Sequence, residues 1–268
     1  MKKVLSAPYL LWMAVFIIVP MIMVAYFAVT TTEGAFTFEH LAAVSQYANI
    51  FVRSIWLAAI ATVICLLIAY PLAIILARLD KSYQSTVLMI VMLPMWMNFL
   101  LRTYAWMTIL GNNGVLNQFF GLFGLGPFKM LNTQGAVVLG MVYNYIPFML
   151  LPIYNVIAKI DKSVLEAAQD LGCNRAKVIL KAVLPLSLPG VMSGITMVFV
   201  PAISTFIISR MLGGGGNLLI GDLIEMQFLG NSYNPNLGAA ISLVLMVIVL
   251  LIMTLMNQFD ADDDRPLI

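Results

Sequence analysis

Few residues in this chain have the type and spacing for covalent chemistry. His40 is the only histidine, and Cys65 and Cys173 lie far apart with no C-x-x-C pair. Zinc ligation and a disulfide framework need clusters that are missing here. There is no H-E-x-x-H and no G-x4-G-K-[ST] loop to cradle a nucleotide's phosphates, and Gly213–Gly216 lacks the lysine of such a loop. That run reads as a flexible connection, and both cysteines read as small packing residues. What stands out is a charged stretch, Glu166–Gly190, reading EAAQDLGCNRAKVILKAVLPLSLPG. The elements around it decide what it can do.

The chain has 268 residues, 62% of them hydrophobic and only 10% charged. A soluble domain carries about 25% charged residues. This is the composition of an all-α integral membrane protein, whose surroundings include a lipid bilayer. A net charge of +2 is too small to suggest nucleic acid as a partner. A membrane-spanning helix needs about 20 apolar residues. Six segments meet that length: Tyr9–Val29, Ser54–Leu79, Thr86–Leu110, Gly135–Ala158, Leu186–Ser209 and Leu237–Phe259. Prolines 20, 71, 94, 147, 152, 189 and 201 fall inside them and predict kinks, which neighbouring helices in a bundle tolerate. The first segment is too long for a signal-peptide core and reads as a retained helix. No repeat or soluble insertion interrupts the chain, so residues 1–268 read as a single transmembrane domain.

Lys and Arg set the orientation. With the N-terminus inside, Lys2, Lys3, Arg78, Lys81, Lys159, Lys162, Arg175, Lys177, Lys181 and Arg265 face the cytoplasm. Only Arg53, Lys129 and Arg210 face outward, and Arg102 falls within the third span. Both termini are therefore expected inside, and the charged stretch belongs to a cytoplasmic loop, about 159–185. Ser163 and Glu166 have the spacing of a capping box that would start a short helix. Leu165, Ala168 and Leu171 make its apolar stripe, and Gly172 suits the left-handed position that ends it. Asn174 caps a second helix, Arg175–Leu184, which Pro185 is expected to interrupt. A helix of about nine residues is unstable alone in water, so another surface must cover its apolar stripe.

The sequence Glu166-Ala167-Ala168, three residues, Gly172, then Leu184-Pro185 after a further interval, resembles the EAA loop of permeases in ATP-binding-cassette (ABC) importers. Ala182 stands where that family usually has isoleucine. The resemblance implies a type I ABC importer permease fold and a coupling role toward a separate ATPase for Glu166, Ala167, Ala168, Gly172, Leu184 and Pro185. Three further stretches, Leu93–Leu110, Asn144–Gly172 and Gly213–Phe228, resemble the PotB-type permeases of spermidine/putrescine importers, and the resemblance runs over nearly the whole chain. That similarity implies polyamine import across a bacterial inner membrane. The partners implied are a PotA-type ATPase dimer, a PotC-type second permease and an extracytoplasmic PotD-type binding protein. It also implies that ATP and Mg belong to the ATPase, with no cofactor in this chain. The same permease class acting on another solute, and a self-contained secondary transporter, remain as alternatives.

A polyamine path calls for oxygens toward ammonium groups and for aromatic faces. The spans hold almost no acid, so Trp96, Asn98, Tyr143, Asn144 and Tyr145 are the pathway candidates, with packing or an interfacial belt as the other reading of each. Asp222 and Glu225 share one side of a short helix, where they draw cations inward, meet the binding protein or form a solvated face. Arg102 sits toward the outer end of its span, where it can snorkel and serve structure or a partner contact.

Overall fold

The structure, a computed structural model, describes residues 11–31, 33–230 and 232–261. Among the described residues its regular secondary structure is helical apart from one isolated bridge, Thr30 to Phe36. The helices are α1 (Leu11–Ala28), α2 (Ala48–Arg78), α3 (Lys81–Trp96), α4 (Phe99–Leu110), α5 (Val115–Leu122), α6 (Gln134–Ile157), α7 (Lys162–Asp170), α8 (Arg175–Ile203), α9 (Ile207–Gly213), α10 (Ile220–Leu229) and α11 (Pro235–Ala261). A short lead-in, Glu39–Ala43 and Val44–Tyr47, runs into α2. The predicted starting point Tyr9, together with Lys2, Lys3 and Arg265, lies outside the described residues.

Five of these elements are long and apolar enough to cross a membrane: α1, α2 with its lead-in, α6, α8 and α11. The third expected span is not one helix. It breaks after Trp96, and α3 turns through 89° into the α4–α5 segment. Asn98 makes the corner, its side-chain oxygen accepting from Leu100 N at 2.9 Å and Leu101 N at 3.4 Å. It thereby caps a fresh helix start. Counted as one bent span, the pair raises the total to six.

The centre is α6, packed along both α2 and α8. On α2 the buried side is a stripe of small residues, Ala58, Ala61, Cys65, Ala69 and Ala73, all fully buried. Their three- and four-residue spacing puts them on one helical face. On α8, a Cβ at Gly190 would stand 2.8 Å from the Pro152 carbonyl oxygen of α6. One turn on, a Cβ at Gly194 would stand 3.1 Å from the Met149 carbonyl oxygen. Small residues at these positions bring the backbones close, which is how helices gain contact in lipid, where hydrophobicity alone does not draw them together.

The fifth span starts earlier than its apolar run. Helix α8 rises from Arg175 through a π-turn at Ile179–Val183 directly before Pro185. The wider turn takes up the missing N–H and the ring's bulk, so Pro185 does not interrupt the helix. A second π-turn, Ala14–Ile18, precedes Pro20 in α1.

Candidate functional site

Two groups of residues sit at opposite ends of α6. Near its C-terminus, α7 starts with Asp161, whose carboxylate accepts from Ser163 N at 3.0 Å. That N–H holds the Asp161 carboxyl below the usual aspartate range. The expected Ser163–Glu166 capping box does not form, because the chain enters the helix two residues earlier than that spacing implied. Leu165 and Ala168 pack against the core, but Leu171 is 86% exposed and leaves the apolar stripe. It stands at the C-cap, where the helix has stopped repeating.

Gly172 ends α7 with φ +82°. Gly172 N bonds Gln169 O at 2.8 Å, and Cys173 N bonds Ala168 O at 3.1 Å. These two bonds are the Schellman pattern, and they satisfy carbonyls the helix end would otherwise leave open. Asn174 then caps α8 by accepting from Lys177 N at 2.9 Å. The result is a tight, rigidly capped corner that leaves Glu166, Ala167 and Pro185 exposed, with Ala168 and Leu184 half-buried. Between α7 and the ends of α2, α3 and α6 lies a cleft of about 570 Å³ lined by Arg78, Gln84, Ile157, Leu165 and Glu166.

At the other end, α9 and α10 form a polar knot. Arg210 binds the Glu225 carboxylate through both terminal nitrogens, and its Nε is 4.0 Å from Asp222 Oδ1. Asp222 is fully buried, and its other oxygen accepts from Leu219 N at 2.9 Å. Burial pushes the Asp222 carboxyl up against the opposing pull of the Ser209 hydroxyl, the Leu219 N–H and the Arg210 charge. Arg210 holds Glu225 below the usual range. Asp222 is thus no part of a solvated face, and Glu225 already has a cation. The glycine run beside this knot is tied down rather than loose: Asn132 N bonds Leu212 O at 2.9 Å and Asn217 Nδ2 bonds Gly213 O at 2.7 Å. Ser54 of α2 completes the seam by accepting from Ile220 N at 2.9 Å.

The pathway candidates do not converge on one surface. Trp96 is 76% exposed at the α3–α4 corner beside Asn98. Tyr143 stacks edge-on with Trp106 of α4 at 5.3 Å between ring centroids. Asn144 is buried and donates to Gly140 O of its own helix at 2.8 Å, while its Oδ1 has no partner. Tyr145 points instead to α8, donating to Pro201 O at 3.3 Å. Arg102 does not snorkel. It is 8% exposed, with its guanidinium 5.8 Å from the Phe99 ring centroid. It lies in the first turn of α4, just past the bend, which a straight-span reading could not place.

Sequence reasoning missed Arg210 as the partner of both acids and missed two inter-helix hydrogen bonds. These are Tyr70 to Ser187 at 3.0 Å and Tyr154 to Gln84 at 2.8 Å. A polar side chain near the end of an apolar span was the available signal for each, but no spacing rule pairs positions so far apart in the chain.

Residues 69–262 match the family described as binding-protein-dependent transport system inner membrane component. The chain is 35% identical over 261 residues to the spermidine/putrescine transport system permease protein PotB of Haemophilus influenzae, covering 94% of this chain and 91% of that protein. The PotB of Escherichia coli is 34% identical over 248 residues, covering 89% and 90%. Among solved structures, a bacterial ABC transporter involved in the import of the acidic polysaccharide alginate superposes with a TM-score of 0.80 at 20% identity, covering 98% of this chain and 96% of that one. The MetNI methionine ABC transporter superposes with a TM-score of 0.59 at 18% identity, covering 81% and 96%. At those identities the structural likeness speaks for the fold alone.

Proposed function

The chain belongs to the family of binding-protein-dependent transport system inner membrane components, and as a permease subunit of an ABC importer, we propose, it carries polyamines of the spermidine and putrescine kind. ATP hydrolysis then falls to a separate PotA-type ATPase dimer, which binds ATP and Mg, while this chain holds no cofactor. A PotC-type second permease completes the membrane passage, and a PotD-type binding protein delivers substrate on the outer side. On this reading the α7 corner faces the cytoplasm and the Arg210–Asp222–Glu225 knot faces outward.

The observation that carries the coupling role is the α7 corner itself. Its inner face, Leu165 and Ala168, is anchored to the bundle, while Glu166 and Ala167 stand exposed beside the left-handed turn at Gly172. A surface held on one side and bare on the other can pass a push from a docked ATPase into α8, with which it is continuous through two capped turns. Of the pathway candidates, Trp96 and Tyr143 keep ring surface open to substrate ammonium groups, while Asn98, Asn144 and Tyr145 are engaged within the helices and would meet substrate only after the bundle rearranges. Such contacts are weak enough for release, which transport requires as much as binding.

The test is uptake of labelled spermidine by the assembled complex, with excess unlabelled putrescine, sulfate or iron as competitors. Inhibition by putrescine alone supports the substrate. Uptake that yields instead to another solute leaves the permease class standing and removes the polyamine. For the coupling role, Gly172→Trp and Gly172→Ala are compared. A Cβ at Gly172 meets nothing within 4 Å in this chain, so beyond the strain of φ +82° only a docked partner can object to the indole. Ala meets the same left-handed strain without the bulk and controls for it. Loss of uptake with Trp beyond that seen with Ala supports docking at this corner; normal coupling with Trp refutes it.

A further inference from the structure

Helix α3 presents a question of attachment. None of its 16 residues is buried. At one end it turns through 89° into α4. At the other, its firm side-chain tie is Gln84, one turn in. The Gln84 amide nitrogen donates to Leu79 O at 2.8 Å and to Ala77 O at 3.4 Å, the open carbonyls ending α2. The Gln84 amide oxygen accepts from the Tyr154 hydroxyl of α6 at 2.8 Å. One neutral amide thus clamps three helix ends, donating to one and accepting from another. An ionised Glu could not donate and a Lys could not accept.

The same amide lines the cleft whose opposite wall is Leu165, Glu166 and Gln169 of α7. We propose that Gln84 and Tyr154 form the joint through which motion of the α7 region reaches the α3–α4 elbow, a positioning role in the transport cycle. This rests on the reading of α7 as the ATPase-docking corner. With α3 so thinly packed, displacement at its base moves it as one arm, and the corner residues Trp96 and Asn98 move with it. Without the clamp, α2 and α6 still follow α8 through their close contacts, but α3 no longer does.

The experiment uses the complete importer with spin labels on exposed positions. One pair joins Met89 of α3 to Leu251 of α11, and a second joins Leu180 of α8 to Leu251. In the parent, ATP is expected to change both distances. In Gln84→Leu and Tyr154→Phe, the α8 distance should still change while the α3 change is largely lost, and uptake per ATP hydrolysed should fall several-fold. Tyr154→Phe removes one oxygen and keeps the ring, so it guards against a general folding defect. Gln84→Glu should behave like Gln84→Leu. An α3 change of parental size in both Gln84→Leu and Tyr154→Phe overturns the joint. So does loss of assembly and uptake together at unchanged uptake per ATP, which would leave Gln84 purely structural. Failure of the docking reading looks different: Gly172→Trp would then leave both distance changes and uptake untouched.

Discussion

Along α2, five small residues turn one face into a fully buried seam with α6; along α3, not one residue is buried. Both helices contain a long apolar run, but α2 has seven alanines and α3 has none. What separates them is side-chain size at helical spacing. Ala58, Ala61, Cys65, Ala69 and Ala73 permit close backbone approach, whereas the α3 stretch Val87–Met92, VLMIVM, offers no small stripe. In a membrane, where lipid is as apolar as leucine, that difference decides which helix is welded to its neighbours and which is held only at its ends. The α2–α6–α8 core is the frame; α3 and α7 are attached parts.

The largest expected effect therefore lies in the frame. Gly190→Leu drives a side chain into the Pro152 carbonyl and the Val156 methyl, where even a Cβ would stand at 2.8 and 2.9 Å. Backbone cannot yield as a side chain can. Overpacking costs roughly 1–3 kcal/mol and more where backbone is the obstacle, so the variant should fail to accumulate in membranes. Met89→Ala on α3, a site 54% exposed, should accumulate and melt like the parent. Equal yields of the two variants would erase the distinction between frame and attached part.

A smaller effect is expected at the knot, and its sign depends on pH. Asp222 has its carboxyl pushed up by burial, so the folded protein holds this proton more tightly than the unfolded chain. Between the ordinary aspartate value and the raised one, only the folded state binds the proton. Stability contributed here falls as pH rises through that window. Glu225 is the reverse: held down by Arg210, it contributes fully above the ordinary glutamate value and loses that contribution as pH falls through its lowered one. Melting temperature measured against pH should lose its decline on the alkaline side of the aspartate range in Asp222→Asn. In Glu225→Gln the acid-side loss should shrink instead. Identical profiles for both variants would show that the two carboxylates do not have separate environments.

At the α7 corner the backbone sets the scale. Gly172→Ala forces a Cβ into φ +82° and should cost about 1–2 kcal/mol locally, with Gly172→Asn closer to the parent. Hydrogen exchange of the Gly172 and Cys173 amides, both bonded to α7 carbonyls, reads this directly. Faster exchange in Ala than in Asn is the expected order. The reverse order would mean the turn is not fixed by its dihedral angle.

The spans were legible because about 20 apolar residues in a row have few other uses. Gly172 and Asn174 were legible because a left-handed turn and an N-cap are chosen by single residues. The break at Trp96–Asn98 was not, because Met97 and Asn98 interrupt hydropathy too little to register in a long window. Gln84 and Tyr154 were not legible either: they are 70 positions apart, and only the antiparallel fold brings them to 2.8 Å. Arg210 was read as one more outward charge because its pairing with Asp222 and Glu225 depends on a turn between two short helices. The misplaced capping box has a different cause. Asp161 and Ser163 are both good caps two residues apart, and the chain uses Asp161.

That competition yields the smallest and most local expectation. Asp161→Ala removes the acceptor for Ser163 N and should loosen the first turn of α7, while Asp161→Asn retains an acceptor and should not. The Asp161 carboxyl is held below its usual range by that N–H, so its contribution is complete above the ordinary aspartate value and fades as pH falls through the lowered one. Exchange at the Ser163 and Val164 amides, corrected for intrinsic pH dependence, should therefore rise on acidification in the parent and stay flat in Asp161→Asn. If Asp161→Ala exchanges no faster than the parent, Ser163 has taken over as the cap, and α7 can start at either residue. The corner would then be set entirely by its glycine end, and α7 would be an attached part with one fixed terminus rather than two.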